Sequence, residues 1–180
     1  GDTAVDSHVG LPTVSKTVDE LLTSELIPFQ SAIEGREGEG VPAVMVAHIL
    51  MTAIDPERPA SLSQAVVTGL LREQLGFDGV VFTDDLTMGA ITENYGLDEA
   101  AVLALEAGCD VLLVCHNEGD LALARQAVLD AVASGRLTEE RIDQSVYRIL
   151  SLKQAYGLTN DPIEMPDLQA LNQEIAALNG

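Results

Sequence analysis

Three short, almost uninterrupted apolar runs constrain this chain most: Ala43-Val44-Met45-Val46-Ala47-His48-Ile49, Gly79-Val80-Val81-Phe82-Thr83 and Asp110-Val111-Leu112-Leu113-Val114-Cys115. None alternates apolar with polar as a half-solvated strand does, so each reads as a strand covered on both faces, the habit of parallel sheets. Segments of helical period lie between and after them. Ser63 to Leu75 follows a capping serine, Ser61 or Ser63; Leu97 to Ala107 closes on Gly108; Gly119 to Ala133 closes near Gly135. Thr138, followed by Glu139, Glu140 and Arg141, opens a further helix to about Ala155, ending at Gly157. Strand alternating with helix across short connections is the pattern of right-handed βαβ units around a parallel sheet.

Upstream, Val18 to Ile33 carries an apolar face of Leu21, Leu22, Leu26, Phe29 and Ile33, with Pro28 placed to kink or divide it. Gly35 to Gly40 reads as a loop. Beyond Gly157, a connector with Pro162 and Pro166 leads to a short amphipathic tail, Asp167 to Leu178. The expected division is a catalytic-type α/β unit over residues 1–158 and a connector with a helix over 159–180.

Charge narrows the partners. Nine basic against 29 acidic residues leave a net charge of −20, which repels phosphate backbones and anionic lipid headgroups, so no nucleic acid is expected. No apolar stretch approaches the roughly 20 residues of a membrane-spanning helix. Cys109 and Cys115 stand at the two ends of one run, and six strand residues place their Cα atoms about 17 Å apart, beyond disulfide reach. Neither has metal-ligand spacing around it, so both read as small, reduced core residues, which tilts localisation towards the cytoplasm. No metal or cofactor is expected, and no Gly-rich phosphate loop follows any strand.

Polar residues cluster where such folds place their chemistry. His48, Asp84 with Asp85, and Cys115-His116 each stand at or just past the C-terminal end of an apolar run, the edge at which barrels and open α/β sheets build sites. Asp6-Ser7-His8 adds a carboxylate and an imidazole two residues apart, which an extended segment would point to the same side. Adjacent strand residues face opposite ways, so if Asp84 faces the site then Asp85 turns towards the helices or caps the next turn. His116 reads as a loop residue. Arg58 and Arg72 have the chemistry to bind a carboxylate, without a placement at the site.

These residues resemble the β-N-acetylglucosaminidase branch of family 3 glycoside hydrolases. Gly1-Asp2-Thr3 and Asp6-Ser7-His8-Val9-Gly10-Leu11-Pro12 are similar to the tail of that branch's long motif, K-H-F-P-G-H-G-x-T-x-x-D-S-H-x-x-x-P. Glu25 to Phe29, Val44 to His48 with Ile54-Asp55 and Pro59 to Ser63, and Phe77 to Met88 follow in the family's order, so the likeness runs to about Leu158. It implies the C-terminal part of a (β/α)₈ barrel, with about three parallel strands visible.

The resemblance also implies a retaining mechanism. Asp84 is the nucleophile, His8 the acid/base and Asp6 the residue that orients His8, with His48 and Met88 on the substrate side. An imidazole suits the shuttle because its ordinary pKa of about 6.5 lets it give and take a proton near neutrality. Most retaining glycosidases use a second carboxylic acid instead. A histidine there lessens repulsion of an anionic acceptor, so phosphate is expected to compete with water.

The implied substrate is a terminal, non-reducing N-acetyl-β-glucosamine residue of a carbohydrate or muropeptide, as in cell-wall turnover. Two other readings stand beside it: β-glucosidase or β-xylosidase activity of the same superfamily, and a non-catalytic sugar-binding fragment. A complete barrel takes about 250 residues. The expectation is therefore that the N-terminal half of the barrel is missing as a partner, and that these 180 residues alone are inactive or nearly so. A chain opening on Gly1 leaves a secreted or surface-anchored location open as well.

Overall fold

The computed structural model describes residues 3, 5–35, 40–162 and 165–178. The Gly1-Asp2 start of the first motif and most of the Gly35 to Gly40 loop lie outside the described residues. The expected α/β architecture of parallel strands and interleaved helices is present. At its centre runs β4 (Val80–Asp85), flanked in parallel by β2 (Ala43–Val46) and β5 (Val111–Leu113). A second, two-stranded parallel ladder joins β1 (Thr13–Val14) to β3 (Leu50–Met51). Among the described residues the strands do not close into a barrel.

The strand boundaries differ instructively from the apolar runs. β2 stops at Val46 because the chain turns there: His48 swings into the interior, and the Leu50 amide donates to Pro12 O at 2.8 Å in the other ladder. β4 runs on to Asp85, past the apolar residues, because the polar side chains at its end find partners of their own. Along β4 the pleat separates two environments. Val81 belongs to the main core with Leu62, Val67, Leu86 and Ile91, on the helix side. On the other side Met45, paired in register with Phe82, is 57% exposed.

Helices cover one side of the sheet. Pro28 divides the first helical stretch, giving α1 (Val18–Leu22) and α2 (Ile27–Glu34); proline is tolerated in the first turn, where its missing N–H has no intrahelical partner. Thr17 caps α1 in a reciprocal box with Glu20. The stretch expected as an α-helix from Ser63 to Leu75 is a π-helix, Ala65–Gln74, in which the Leu75 amide reaches Leu70 O, and a short 3₁₀ turn, Ala60–Leu62, precedes it. After β4 comes a short α3 (Gly89–Thr92), absent from the sequence reading.

The later helices match their expected spans closely: α4 (Leu97–Ala107), α5 (Glu118–Ala133), α6 (Glu139–Ala155) and α7 (Leu168–Leu178). Small residues along α4, among them Ala100, Ala101 and Ala104, are wholly buried and let it approach the core closely. Its end is fixed by Gly108, whose φ of 116° is left-handed and where a Cβ would meet Thr68 Oγ1 at 2.7 Å. No helix among the described residues is long and apolar enough to cross a membrane.

A buried ionic clamp fastens the N-terminal ends of the strands. Asp110, just before β5, is fully buried at its side chain and accepts from Arg72 Nη2 at 2.7 Å, Ser145 Oγ at 2.6 Å and the Val81 amide at 3.0 Å. Arg148 and Arg141 stand 3.5 and 3.9 Å from the same carboxylate, so α6 is tied to two strands. Arg72 also donates to the carbonyls of Phe77, Gly79 and Gly108. The carboxylate it binds is therefore structural, at the end of the sheet opposite the candidate site.

Candidate active site

The Asp6-Ser7-His8 motif is a turn, not the extended segment expected. Asp6 O accepts from the amides of Val9 and Gly10 at 2.9 and 3.0 Å. Asp6 Oδ1 accepts from the His8 backbone N–H at 3.0 Å and lies 2.9 Å from His8 Nδ1. An aspartate that bonds the amide two residues on is a local turn former, and this turn, rather than strand pleating, brings imidazole and carboxylate together.

The His8 amide, then the His8 side chain, hold the Asp6 carboxyl below its ordinary pKa. An ionised carboxylate only accepts hydrogen bonds, so Nδ1 carries the proton, and Nε2, without a hydrogen-bond partner among the described residues, is the nitrogen able to take one. Both side chains are well exposed.

Two contacts dock this turn onto the segment that follows β4. The Ala90 amide donates to Ser7 O at 3.1 Å. At Gly89 an added Cβ would stand 2.7 Å from His8 O, so glycine is what permits the approach. His8 is thereby held beside the chain five residues beyond Asp84, at the C-terminal edge of the sheet.

Asp84 is half-buried near the end of β4, on the pleat face it shares with Phe82, and its Oδ1 accepts from the Asp85 amide at 2.9 Å. Asp85 is buried on the opposite face and caps the turn, as the alternation of side chains implied. Its carboxylate accepts from the Thr87 amide at 3.0 Å, the Thr87 hydroxyl at 2.8 Å and the Cys115 amide at 3.2 Å, and stands 2.9 Å from His116 Nδ1. Burial alone would raise its pKa; the bonds from Thr87 and Cys115 and the nearby His116 outweigh that and lower it.

His48 and Met88 are both buried. His48 is 0% exposed; its Nε2 is 3.0 Å from Asp85 O and its Nδ1 2.7 Å from Ser61 Oγ. Burial pushes its pKa down. The neutral ring thus donates from Nε2 to the carbonyl and accepts the Ser61 hydroxyl at Nδ1, holding the end of β4 from the β2 side. Met88 is 7% exposed, fills core space, and donates its amide to Asp85 O.

The cysteines part company. Cys109 is a buried thiol pushed up to about 12 by burial, as expected of a core residue; Cys115 is exposed at the end of β5, because that strand ends at Leu113. Both are free. Among the described residues no group of His, Cys, Asp and Glu is arranged to hold a metal ion.

Sequence reasoning missed His116, Gly89 and Ser61 as parts of this arrangement. His116 was visible at a strand end, but its bond to Asp85 depends on β5 lying next to β4.

A parallel α/β sheet with its carboxylates and imidazoles gathered at the C-terminal strand edge is the class of protein this fold and site define. Within that class, the N-terminal domain of glycosyl hydrolase family 3 matches residues 1–152, and the chain belongs to that family. A "Beta-hexosaminidase" from Idiomarina loihiensis is 34% identical over 158 residues, 88% of this chain and 44% of that protein.

Among solved structures, a glycoside hydrolase family 3 beta-N-acetylglucosaminidase from Paenibacillus sp. is similar with a TM-score of 0.86 and 48% identity, over 93% of this chain and 32% of that one. A fungal multi-domain GH3 beta-N-acetylglucosaminidase superposes with a TM-score of 0.91 and 34% identity, over 99% of this chain and 21% of that one. The chain thus spans less than half the length of the curated relatives it matches.

Proposed function

We propose that this domain removes terminal, non-reducing N-acetyl-β-glucosamine by a retaining, two-step mechanism. The observation that carries the reading is the docking of the Asp6–His8 pair, Nε2 free, onto the chain that directly follows Asp84. The names of the relatives support the hexosaminidase specificity, and the motif resemblance points to muropeptide fragments as the source of the sugar.

In the first step the Asp84 carboxylate bonds to the anomeric carbon as the glycosidic C–O bond breaks. His8, protonated at both nitrogens, gives its Nε2 proton to the leaving oxygen, while Asp6 supports the imidazolium through Nδ1. In the second step neutral His8 takes a proton from water at Nε2. The water oxygen bonds to the anomeric carbon, Asp84 leaves as carboxylate, and the β-configuration is restored. The three-stranded sheet of the described residues does not by itself enclose a sugar, and Asp84 lies on the pleat face of Phe82, whose register partner Met45 is exposed. The isolated 180 residues are therefore expected to turn over little, and the full-length protein is the one to assay.

The test is release of an aryl leaving group from an aryl N-acetyl-β-glucosaminide and from the matching β-glucoside and β-xyloside. Preference for the N-acetylated sugar, abolished in Asp84→Asn, is the expected result. Preference for the unacetylated sugars would replace the substrate assignment, and sugar binding without turnover by wild-type protein would leave a binding module.

A further inference from the structure

We propose that His116 is a positioning residue for the nucleophile, acting through Asp85; the proposal rests on the glycosidase reading and assigns a role within that site. His116 follows β5 and stands over the turn that leaves β4. Its Nδ1 lies 2.9 Å from Asp85 Oδ2 and 2.5 Å from Thr87 Oγ1. The Thr87 hydroxyl donates its single proton to the Asp85 carboxylate at 2.8 Å. Both neighbours of Nδ1 are therefore acceptors towards it, and Nδ1 must carry the proton.

Asp85 is in turn the residue through which three strands meet at the site. From the β2 side, His48 Nε2 donates to its carbonyl at 3.0 Å. From the β5 side, the Cys115 amide and His116 bind its carboxylate. Its own amide donates to Asp84 Oδ1 at 2.9 Å, the one hydrogen bond that the Asp84 side chain makes among the described residues.

The orientation of the Asp84 carboxylate thus depends on Asp85, a residue held through its carbonyl by His48 and through its carboxylate from the β5 side, and His116 supplies the hold that is exposed and removable. His48, wholly buried, belongs to the core as well. The arrangement around Asp85 and His116 repeats that of Asp6 and His8, a carboxylate fixing an imidazole through Nδ1. Here it steadies a neighbouring residue instead of presenting a proton.

A nucleophile left free to rotate loses rate at the chemical step without losing affinity for the sugar. The test compares His116→Ala with His116→Asn in the full-length protein, using the aryl N-acetyl-β-glucosaminide. The Asn side-chain amide reproduces a donor near the position of Nδ1. The expected result is a fall in kcat of about 10-fold for His116→Ala with KM within about 2-fold of wild type, and recovery of most of kcat in His116→Asn.

Unchanged kcat in His116→Ala overturns the proposal, and so does an equal loss in both variants. A loss confined to KM overturns it as well, marking His116 as a substrate contact. A wild-type protein that hydrolyses none of the aryl glycosides tells against the glycosidase reading instead. The positioning bond is then judged by ¹⁵N imidazole shifts: an Nδ1–H ring that changes in Asp85→Asn supports it, and an Nε2–H ring indifferent to that change overturns it.

Discussion

Asp84 and Asp85 are chemically identical neighbours that the pleat of β4 sends into different work. Asp84 is half-buried with a single side-chain hydrogen bond among the described residues, whereas Asp85 is buried and engaged by Thr87, Cys115 and His116. Asp84→Asn should therefore lower turnover by at least about 10³-fold, with thermal stability close to wild type. Steady-state kinetics and a melting curve check both halves of that statement. His8→Ala should cost about 10²- to 10⁴-fold on a glycoside with a poor leaving group and much less on an activated aryl glycoside, because only the former needs the proton. A leaving-group series measures this directly. Both residues were legible in the sequence because a short motif carried each. The contact between Asp6 and His8 was also legible, although its cause was not: the turn that makes it depends on a backbone bond that side-chain alternation does not describe.

At the scale of elements, the β4–α3 turn is where the two halves of the site meet. Gly89→Ala places a methyl 2.7 Å from His8 O, so the Asp-Ser-His turn must move. Activity should fall by about 10-fold or more while the fold persists, and a crystal structure of the variant would show the turn displaced. The same turn has a defined pH response. Asp85 has a depressed pKa in the folded state, so its stabilising bonds are fully present above the ordinary carboxylate value of 3.8 and are lost as pH falls through the lower folded value. His48, kept neutral by burial, is also depressed; its contribution is complete above its ordinary 6.5 and declines as pH falls below that, where the unfolded chain takes up the proton. Unfolding midpoints followed from pH 8 to pH 3 should drop in two stages, and His48→Gln should remove the upper one. The long helices were readable from apolar spacing and from Thr138, Gly108 and Gly157. The end of β2 at Val46, with β3 starting only at Leu50, and the π-helix after Ser63, were not, because partner strands and core contacts override local pattern there.

Across the whole molecule, opposite ends of one sheet serve different purposes. The N-terminal end is locked by Asp110 among Arg72, Arg141, Arg148 and Ser145, although the chain as a whole carries a net charge of −20. Asp110→Ala leaves buried guanidinium groups unpaired and should destabilise the fold by about 3–5 kcal/mol in urea titrations. The C-terminal end sets half-buried Asp84, on a face that the described residues leave open, beside the buried Asp85 and His48. Parallel α/β class was legible in the three apolar runs. The second ladder, β1 with β3, was not, since neither strand belongs to those runs. In the proposed mechanism Asp84 forms a covalent bond to the sugar. The most direct measurement is mass spectrometry of the full-length protein after reaction with a fluorinated N-acetylglucosaminide that slows breakdown of the glycosyl-enzyme. The account predicts a single sugar on the peptide containing Asp84 and none in Asp84→Asn; a sugar carried by Asp85, or undiminished labelling of Asp84→Asn, would contradict it.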